Sequence, residues 1–309
     1  MKFEPLNQTY LLSHVNHFNE LTNLYLKGKL PNKILLSGEK GIGKSTISYH
    51  LINYVLSKDE EYSYDYKNYK INPQNKSFKL MHNNSCPNFH FIDVEKDKKN
   101  IEINQIRELI VDLNKSSFNS KVRFVLIDNI ELLNVNSVNA LLKILEEPND
   151  NIIFILINNN KKVLTTLKSR CINFKVFLSF EKSIKVINQI LEMNIYDLAN
   201  KEFINNYSTP GQLLRIIKFS NDQKIDLVKS NLKDFLLQIF QSRIFKKEKL
   251  VEEIIYSLIE LYFRNNVSVN NINQMNLYNY FIKRINNAKK YNLDKETIFM
   301  EFGNRVFDG

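Results

Sequence analysis

Cysteine, glycine and tryptophan are scarce in this sequence. Its 309 residues include two cysteines, seven glycines and no tryptophan. Cys86 and Cys171 allow at most one disulfide, which excludes a disulfide-stabilised scaffold and fits a reducing compartment. No uncharged apolar run approaches the ~18 residues that a membrane span requires, and the longest run covers residues 152–157. We therefore expect no membrane partner.

An export signal and a strong charge bias are also lacking. The N-terminal segment places Glu4 and Pro5 where a secretory signal needs an unbroken apolar stretch, so we expect a soluble, cytoplasmic protein. Lysine and arginine total 43 against 33 acidic residues, and the net charge of +10 is spread along the chain. This pattern favours mild attraction to polyanions over a dedicated nucleic-acid groove.

Short β-branched runs alternate with helical patterns up to about residue 178. The strand runs cover residues 33–37, 89–93, 122–128, 152–157 and 172–176, and the helical patterns cover 13–27, 44–57, 104–114, 134–147 and 161–168. This alternation is typical of a parallel sheet covered by helices. We predict an α/β domain with a five-stranded parallel sheet over residues 1–178.

Two regions depart from this alternation. Residues 58–85 are crowded with polar residues and tyrosine and show no period, which predicts a surface insertion. After the α/β domain, apolar residues recur at helical spacing and strand patterns vanish. Pro210-Gly211 and the polar run 220–223 divide this part, so we predict two all-helical modules over residues 179–221 and 222–309.

The strongest chemical signal follows the first strand run. Residues 38–46 fit the pattern G-x-x-x-x-G-K-[ST] between a strand run and a helical pattern, which is the context that a phosphate-binding P-loop needs. The glycines let backbone N–H groups surround phosphates at a helix N-terminus. Lys44 can reach the β- and γ-phosphates of ATP, and Ser45 can ligate Mg²⁺.

A second nucleotide motif is expected where the third strand run ends. Asp128 follows this apolar run and can hold the magnesium ion through water. Asn129 holds an amide where hydrolysing P-loop ATPases of this kind usually have a glutamate, and an amide cannot accept a proton from the attacking water. Glu131 is two residues further on, and we expect it to point elsewhere. The predicted nucleotide-binding residues are Gly38, Lys40, Gly41, Gly43, Lys44, Ser45, Thr46 and Asp128, with Ser45 and Asp128 as the metal ligands.

Three further stretches carry a resemblance to a known family. Residues 139–148 are Asn-Ala-Leu-Leu-Lys-Ile-Leu-Glu-Glu-Pro, residues 169–171 are Ser-Arg-Cys, and residues 101–107 follow the pattern Ile-x-Ile-x-x-Ile-Arg. Together with the P-loop and Asp128, they resemble bacterial clamp-loader subunits of the AAA+ class. The resemblance covers most of residues 1–178 in its motifs and the helical remainder only in its layout.

The zinc module of this family is missing. The gamma/tau ATPase subunits carry a four-cysteine zinc insertion before the second strand, but residues 58–90 of this chain contain only Cys86. His82, Cys86 and His90 make three candidate ligands at best, with Pro87 breaking any shared helix. We therefore expect no zinc site.

A lid arginine is also displaced. Active family members have an arginine that contacts the γ-phosphate just after a Gly-Ser or Pro-Gly turn. In this chain Gln212 follows Pro210-Gly211, and Arg215 lies nearly a helical turn further on. Together with Asn129 and the missing cysteines, this departure matches the delta-prime branch of the family, in which hydrolysis is typically lost.

The resemblance implies a three-part chain. Residues 1–178 would be the AAA+ domain, 179–221 a helical lid, and 222–309 a helical collar that joins delta and gamma/tau subunits in a pentamer. Such an assembly opens the ring-shaped sliding clamp and places it on primed DNA when ATP binds, then releases it on hydrolysis. A delta-prime subunit would brace its neighbours and offer Arg170 in trans to the ATP of an adjacent gamma/tau subunit.

Other functions stay open on the sequence alone. A subunit that hydrolyses ATP in its own site would show steady-state hydrolysis as an isolated chain. A P-loop kinase of small metabolites would need an arginine-rich lid, and only Arg107, Arg123 and Arg170 lie within residues 101–178. Without the resemblance, Glu146 and Glu147 are acids at a helix end and Arg170 is a base that caps or pairs locally.

Overall fold

The computed structural model describes residues 4–95, 98–115, 121–146, 151–246, 249–266, 271–291 and 293–307. The chain divides into two units, Met1–Val186 and Ile187–Gly309. The first unit holds a five-stranded parallel sheet with helices around it, and the described part of the second unit is helical. The predicted fold class is confirmed.

Strands and helices alternate in the first unit. Its strands are β1 (Lys33–Ser37), β2 (Phe89–Ile92), β3 (Arg123–Ile127), β4 (Ile152–Asn158) and β5 (Ile172–Lys175). Its helices are α1 (Val15–Leu26), α2 (Lys44–Leu56), α3 (Lys76–His82), α4 (Ile103–Asn114), α5 (Val135–Glu146) and α6 (Thr165–Lys168), and α7 (Phe180–Leu191) begins in this unit. All five strand runs of the sequence form strands, with ends that differ by at most one residue.

The five strands are parallel and lie in the order β2-β3-β4-β1-β5. Strand β4 lies in the middle, and all seven of its residues are buried. A parallel sheet covered by helices needs strands that are apolar on both faces, which explains its unbroken Ile-Ile-Phe-Ile-Leu-Ile run. Alternate residues of β1 enter different cores, Ile34 and Leu36 on one face and Leu35 on the other.

The strand order decides which loops meet. The carboxyl ends of parallel strands lie at the same edge of a sheet, and β4 is hydrogen-bonded to β1 on one side and to β3 on the other. The register pairs Ser37 with Asn158 and Ile127 with Leu156, so the three strands end at nearly the same level. The loops after β1, β3 and β4 therefore meet at one edge, which is where open α/β sheets bind ligands.

The prediction that residues 58–85 form a surface insertion is wrong for several of its apolar residues. Helix α3 forms within this segment, and the Asn75 side chain caps it by accepting a hydrogen bond from the Phe78 N–H at 2.8 Å. Tyr64 and Met81 are buried in the core on one face of the sheet. The segment is therefore part of the first unit's core.

A buried aromatic cluster explains why this segment folds inward. The rings of Tyr64 and Phe18 lie 5.3 Å apart between centroids, and the Tyr64 hydroxyl lies 2.8 Å from Nδ1 of His50. Nε2 of His50 donates to the Gln8 carbonyl oxygen at 2.9 Å, so Nδ1 accepts from the tyrosine. Tyrosine buries its ring when its hydroxyl finds such a partner, and a polar composition does not reveal this.

Helices make up the described part of the second unit. They are α8 (Ile195–Leu198), α9 (Pro210–Asp222), α10 (Leu232–Ser242), α11 (Lys249–Asn266), α12 (Ile272–Tyr291) and α13 (Lys295–Phe302). Phenylalanine rings fill its core, with Phe281, Phe299 and Phe302 fully buried. The predicted helical character of this region is confirmed. Across the described residues of both units, the helices are too short or too polar to cross a membrane.

Helix α6 is shorter than the helical pattern predicted over residues 161–168. Helix α6 begins at Thr165 rather than at residue 161 because the Asn158 side chain exchanges hydrogen bonds of 3.1 Å with the backbone of Lys161 and holds a turn there. Glu147 and Pro148, the last two residues of the 139–148 motif, lie outside the described residues. The division of the helical part at residue 221 stays a prediction.

Candidate functional site

The loop after β1 has the backbone that its glycines predict. Gly41 and Gly43 have φ angles of 88° and 100°, which residues with a Cβ rarely adopt. A Cβ on Gly38 would lie 2.2 Å from the Val176 carbonyl oxygen, so this position also admits only glycine. Lys40 lies half-buried in the same loop, and Thr46 lies half-buried in the first turn of α2.

Lys44 is the first residue of α2, and its side chain folds back into the loop. Its Nζ donates to the carbonyl oxygens of Gly38 at 2.9 Å and Glu39 at 2.5 Å. Only 3% of the residue is exposed, and this burial lowers the pKa of Lys44 to about 8, against the opposing influence of Asp128 and Glu131. The ammonium group thus lies within a loop shaped for phosphates.

Ser45 and Asp128 come together across the end of β4. The Ser45 hydroxyl donates to Oδ2 of Asp128 at 2.6 Å, and Oδ1 of Asp128 accepts from the Asn129 N–H at 2.7 Å. Burial raises the pKa of the Asp128 carboxyl group above its usual range, although the Ser45 hydrogen bond lowers it. A hydroxyl and a carboxylate oxygen this close fit a hard cation such as Mg²⁺, which prefers oxygen ligands.

The amide of Asn129 is held on both sides. Its Nδ2 donates to Oδ1 of Asp93 at 2.7 Å, and its Oδ1 accepts from Nδ2 of Asn159 at 2.8 Å. The backbone of Asn129 is left-handed, with a φ of 53°. Asp93 follows β2 and Asn159 follows β4, so the strand order brings the three side chains together. Asn159 belongs to no motif of the sequence, and its position directly after a buried strand is the one sequence signal that marks it.

The expectation that Glu131 points elsewhere is wrong. A short 3-10 turn, Ile130–Leu132, turns it back towards the strand ends. Its carboxylate accepts from the Asn159 side chain at 3.1 Å and from the Asn159 N–H at 3.3 Å. The negative charge of Glu131 acts to raise the pKa of Lys44, so this carboxylate contributes to the electrostatics of the P-loop site.

His14 is a second residue that the sequence reasoning did not identify. It precedes α1, and its Nε2 donates to the Ile42 carbonyl oxygen of the P-loop at 2.7 Å. Burial lowers the pKa of His14 to about 4, which keeps the ring neutral at pH 7. A lone histidine before an amphipathic helix gives no motif, which is why only the structure reveals this contact.

Arg170 lies near the amino-terminal ends of β1 and β5, at the opposite end of the strands from the P-loop. It follows α6 and precedes β5, whose first residue Ile172 pairs with Ile34 near the start of β1, whereas the P-loop follows the end of β1. Its guanidinium donates from one terminal nitrogen to the Thr166 carbonyl oxygen at 2.8 Å and from the other to Glu146. The side chain remains one-third exposed, at 33%.

The other candidate residues have local partners. Nε2 of His82 pairs with the side-chain oxygen of Asn7, and Cys86 is a free, half-buried thiol. In the described part of the chain, no three His, Cys, Asp or Glu side chains are grouped as metal ligands. In the second unit, Arg215 donates to the Gly211 carbonyl oxygen at 3.1 Å and pairs with Glu253 at 3.5 Å.

Comparison with known proteins identifies relatives across the chain. The family described as "DNA polymerase III, delta subunit" matches residues 13–178. DNA polymerase III subunit delta′ of Buchnera aphidicola subsp. Schizaphis graminum is 26% identical over 292 residues, which cover 88% of this chain and 84% of that protein. Subunit gamma of the same organism is 28% identical over 211 residues, covering 67% of this chain and 56% of that protein.

A solved structure shares the fold. The crystal structure of a DNA polymerase III gamma subunit-related protein from Thermotoga maritima superimposes with a TM-score of 0.50 at 18% sequence identity. The superposition covers 91% of this chain and 96% of that protein. At this identity the likeness supports the architecture alone.

The free energy of unfolding should rise with pH because the pKa of Lys44 is lower in the folded chain than in the unfolded chain. Between about pH 8 and pH 10.5 the unfolded chain binds more protons at this lysine than the folded chain, so alkali favours the folded state. Relative to Lys44→Met, the wild type should gain up to about 3 kcal/mol of unfolding free energy across this window. Urea unfolding of both proteins at the two pH values measures this gain, and identical pH dependences would contradict the buried-ammonium explanation.

Proposed function

The chain belongs to the DNA polymerase III clamp-loader family, and from this premise we propose that it serves as the delta-prime subunit of the loader. The observation that carries the proposal is Asn129, an amide at the position of the water-activating glutamate, held between Asp93 and Asn159. The length of the match supports the same choice, because similarity to a delta′ subunit extends over 88% of the chain and similarity to a gamma subunit over 67%.

Nucleotide binding at the P-loop is part of this proposal. The positive-φ glycines, the buried Lys44 and the adjacent oxygens of Ser45 and Asp128 all fit ATP with Mg²⁺. Lys44 would exchange its two loop carbonyls for phosphate oxygens, while Ser45 and Asp128 would hold the ion. Bound Mg²⁺ would neutralise phosphate charge.

Lys44→Ala should abolish ATP binding. The substitution removes the cation that reaches the phosphates and leaves the loop backbone in place, and charge-assisted contacts of this kind dominate phosphate recognition. Titration calorimetry with MgATP measures the affinity, and Lys29→Ala, an exposed lysine before β1, is the matched control. If Lys44→Ala binds ATP as tightly as the wild type, the P-loop assignment is withdrawn.

Hydrolysis by the isolated chain would be negligible. Asn129 can orient water but cannot take its proton, and general-base assistance contributes about 10²- to 10⁴-fold. Glu131 places a carboxylate in the same hydrogen-bonded group through Asn159. This carboxylate favours the alternative of a gamma/tau-type subunit that hydrolyses ATP in its own site, so turnover discriminates the two functions.

The isolated wild type should turn over ATP far more slowly than about 1 per second, the lower end of the usual enzyme range. Asn129→Glu places a carboxylate beside the carboxylate of Asp93. The repulsion between these like charges should lower the melting temperature, and the variant should not regain hydrolysis. Adding Asp93→Asn to that variant should recover part of the melting temperature, because it removes the like charge but not the cost of a left-handed backbone at position 129. A wild-type turnover within the enzyme range that Glu131→Gln removes would establish the gamma/tau-type alternative.

The proposed contribution of this subunit to chemistry is Arg170. It lies at the edge of the sheet opposite the P-loop of its own chain and remains one-third exposed. An arginine supplied in trans stabilises charge on the γ-phosphoryl group of a neighbour's ATP. In a pentamer with delta and gamma/tau subunits, the helical lid and collar would provide assembly, and the complex would load the sliding clamp onto primed DNA in the cytoplasm.

Arg170→Ala should lower the DNA- and clamp-stimulated ATP hydrolysis of the reconstituted loader while leaving folding, assembly and ATP binding by this chain unchanged. A trans-acting arginine is worth about 10³- to 10⁵-fold at its own site. The overall loss should be smaller, since other gamma/tau sites retain their donors. Lys168→Ala, an exposed cation at the same end of α6, is the matched control. Wild-type hydrolysis and normal clamp loading by the Arg170→Ala loader would restrict Arg170 to local pairing.

A further inference from the structure

Arg170 has a charged partner in its own chain, the carboxylate of Glu146. We infer that Glu146 is a positioning residue for Arg170: it orients the guanidinium towards solvent so that the arginine meets the phosphate of a neighbouring subunit in a prearranged pose. This inference rests on the proposed trans-acting role of Arg170. Glu146 itself would touch neither nucleotide nor metal.

Both residues are carried by elements that share one core. Glu146 is the last residue of α5, directly after Leu145, and Arg170 comes three residues after Leu167 of α6. Leu145 and Leu167 are fully buried in the same hydrophobic cluster. Packing of this kind fixes the two backbones relative to each other, so the distance between carboxylate and guanidinium is set by the fold rather than by the pair itself.

Local helix energetics do not account for a carboxylate at position 146. The C-terminal end of a helix carries partial negative charge, so an acid at the last residue of α5 is unfavourable there. A cation would be favourable at this end, and Lys143 lies in the same turn. The compensating group for Glu146 is the Arg170 guanidinium, which lies outside α5. The acid is therefore explained by its partner and not by the helix that carries it.

The geometry leaves the arginine able to bind an anion. Its two hydrogen bonds, to Thr166 and Glu146, use two of the five N–H groups of a guanidinium, which lie in one plane. The two contacts fix that plane, and the other N–H groups can donate to phosphate oxygens. A long side chain that is already ordered loses less conformational freedom on binding.

Solvent exposure keeps the pair reversible. The Glu146 side chain is 55% exposed, and exposed ion pairs are weak in water. A triphosphate carries more charge than one carboxylate and accepts bidentate contacts, so it competes well for the same guanidinium. Glu146 can thus orient Arg170 without withholding it.

The test is a double-mutant cycle in the reconstituted loader, with wild type, Glu146→Ala, Arg170→Ala and the double variant. Glu146→Ala should lower kcat for stimulated ATP hydrolysis by about 3- to 10-fold, with KM for ATP unchanged. In the Arg170→Ala background, Glu146→Ala should have no further effect. Glu146→Asp should recover part of the loss, and Glu108→Ala, an exposed glutamate on α4, is the matched control.

Three other results would overturn the inference. Additive losses in the double variant would show that Glu146 acts independently of Arg170 and would overturn the inference. Unchanged or faster hydrolysis by Glu146→Ala would also overturn it, while the trans-acting role survives if Arg170→Ala alone is slow. If Arg170→Ala hydrolyses at the wild-type rate, the proposed role fails and the inference fails with it. Thermal melting of the four isolated chains confirms that folding is unaffected.

Discussion

The burial of β4 between β1 and β3 is the constraint on which the rest of the first unit depends. β4, which is buried along its whole length, separates β1, which leads into the P-loop, from β3, which ends before Asp128. The two motifs must then meet across its carboxyl end, and the Ser45 hydroxyl closes that gap. The Gly38 N–H donates to the Asn158 carbonyl oxygen at 3.2 Å, so the start of the P-loop is tied to β4 as well.

Amides keep like charges apart at this edge of the sheet. Asp93, Asp128 and Glu131 gather within a partly buried region, where three carboxylates without intervening donors would repel one another. Asn129 donates to Asp93, and Asn159 donates to both Asn129 and Glu131. The chain of amides satisfies acceptors that burial would otherwise leave costly. A residue that looks like a catalytic loss in the sequence is thus a structural link between acidic groups.

The sequence predicts those features that depend on local pattern. Short apolar runs predicted all five strands, and the glycine spacing predicted the loop that holds Lys44. Features that depend on tertiary pairing could not be predicted in this way. The polar composition of residues 58–85 gives no indication that Tyr64 is buried. Its ring is buried because His50 accepts a hydrogen bond from its hydroxyl. The position of the Glu131 carboxylate beside the strand ends depends on a short 3-10 turn and on a hydrogen bond from Asn159, which lies in a distant part of the chain.

The left-handed backbone at Asn129 makes a glutamate costly at this position. Asparagine tolerates a positive φ better than most residues because its short polar side chain can hydrogen-bond locally, whereas most other side chains cost about 1–2 kcal/mol in that conformation. A glutamate at this position would meet both this cost and the charge of Asp93. Folding stability alone therefore disfavours a glutamate at position 129, independently of what the chain does with ATP.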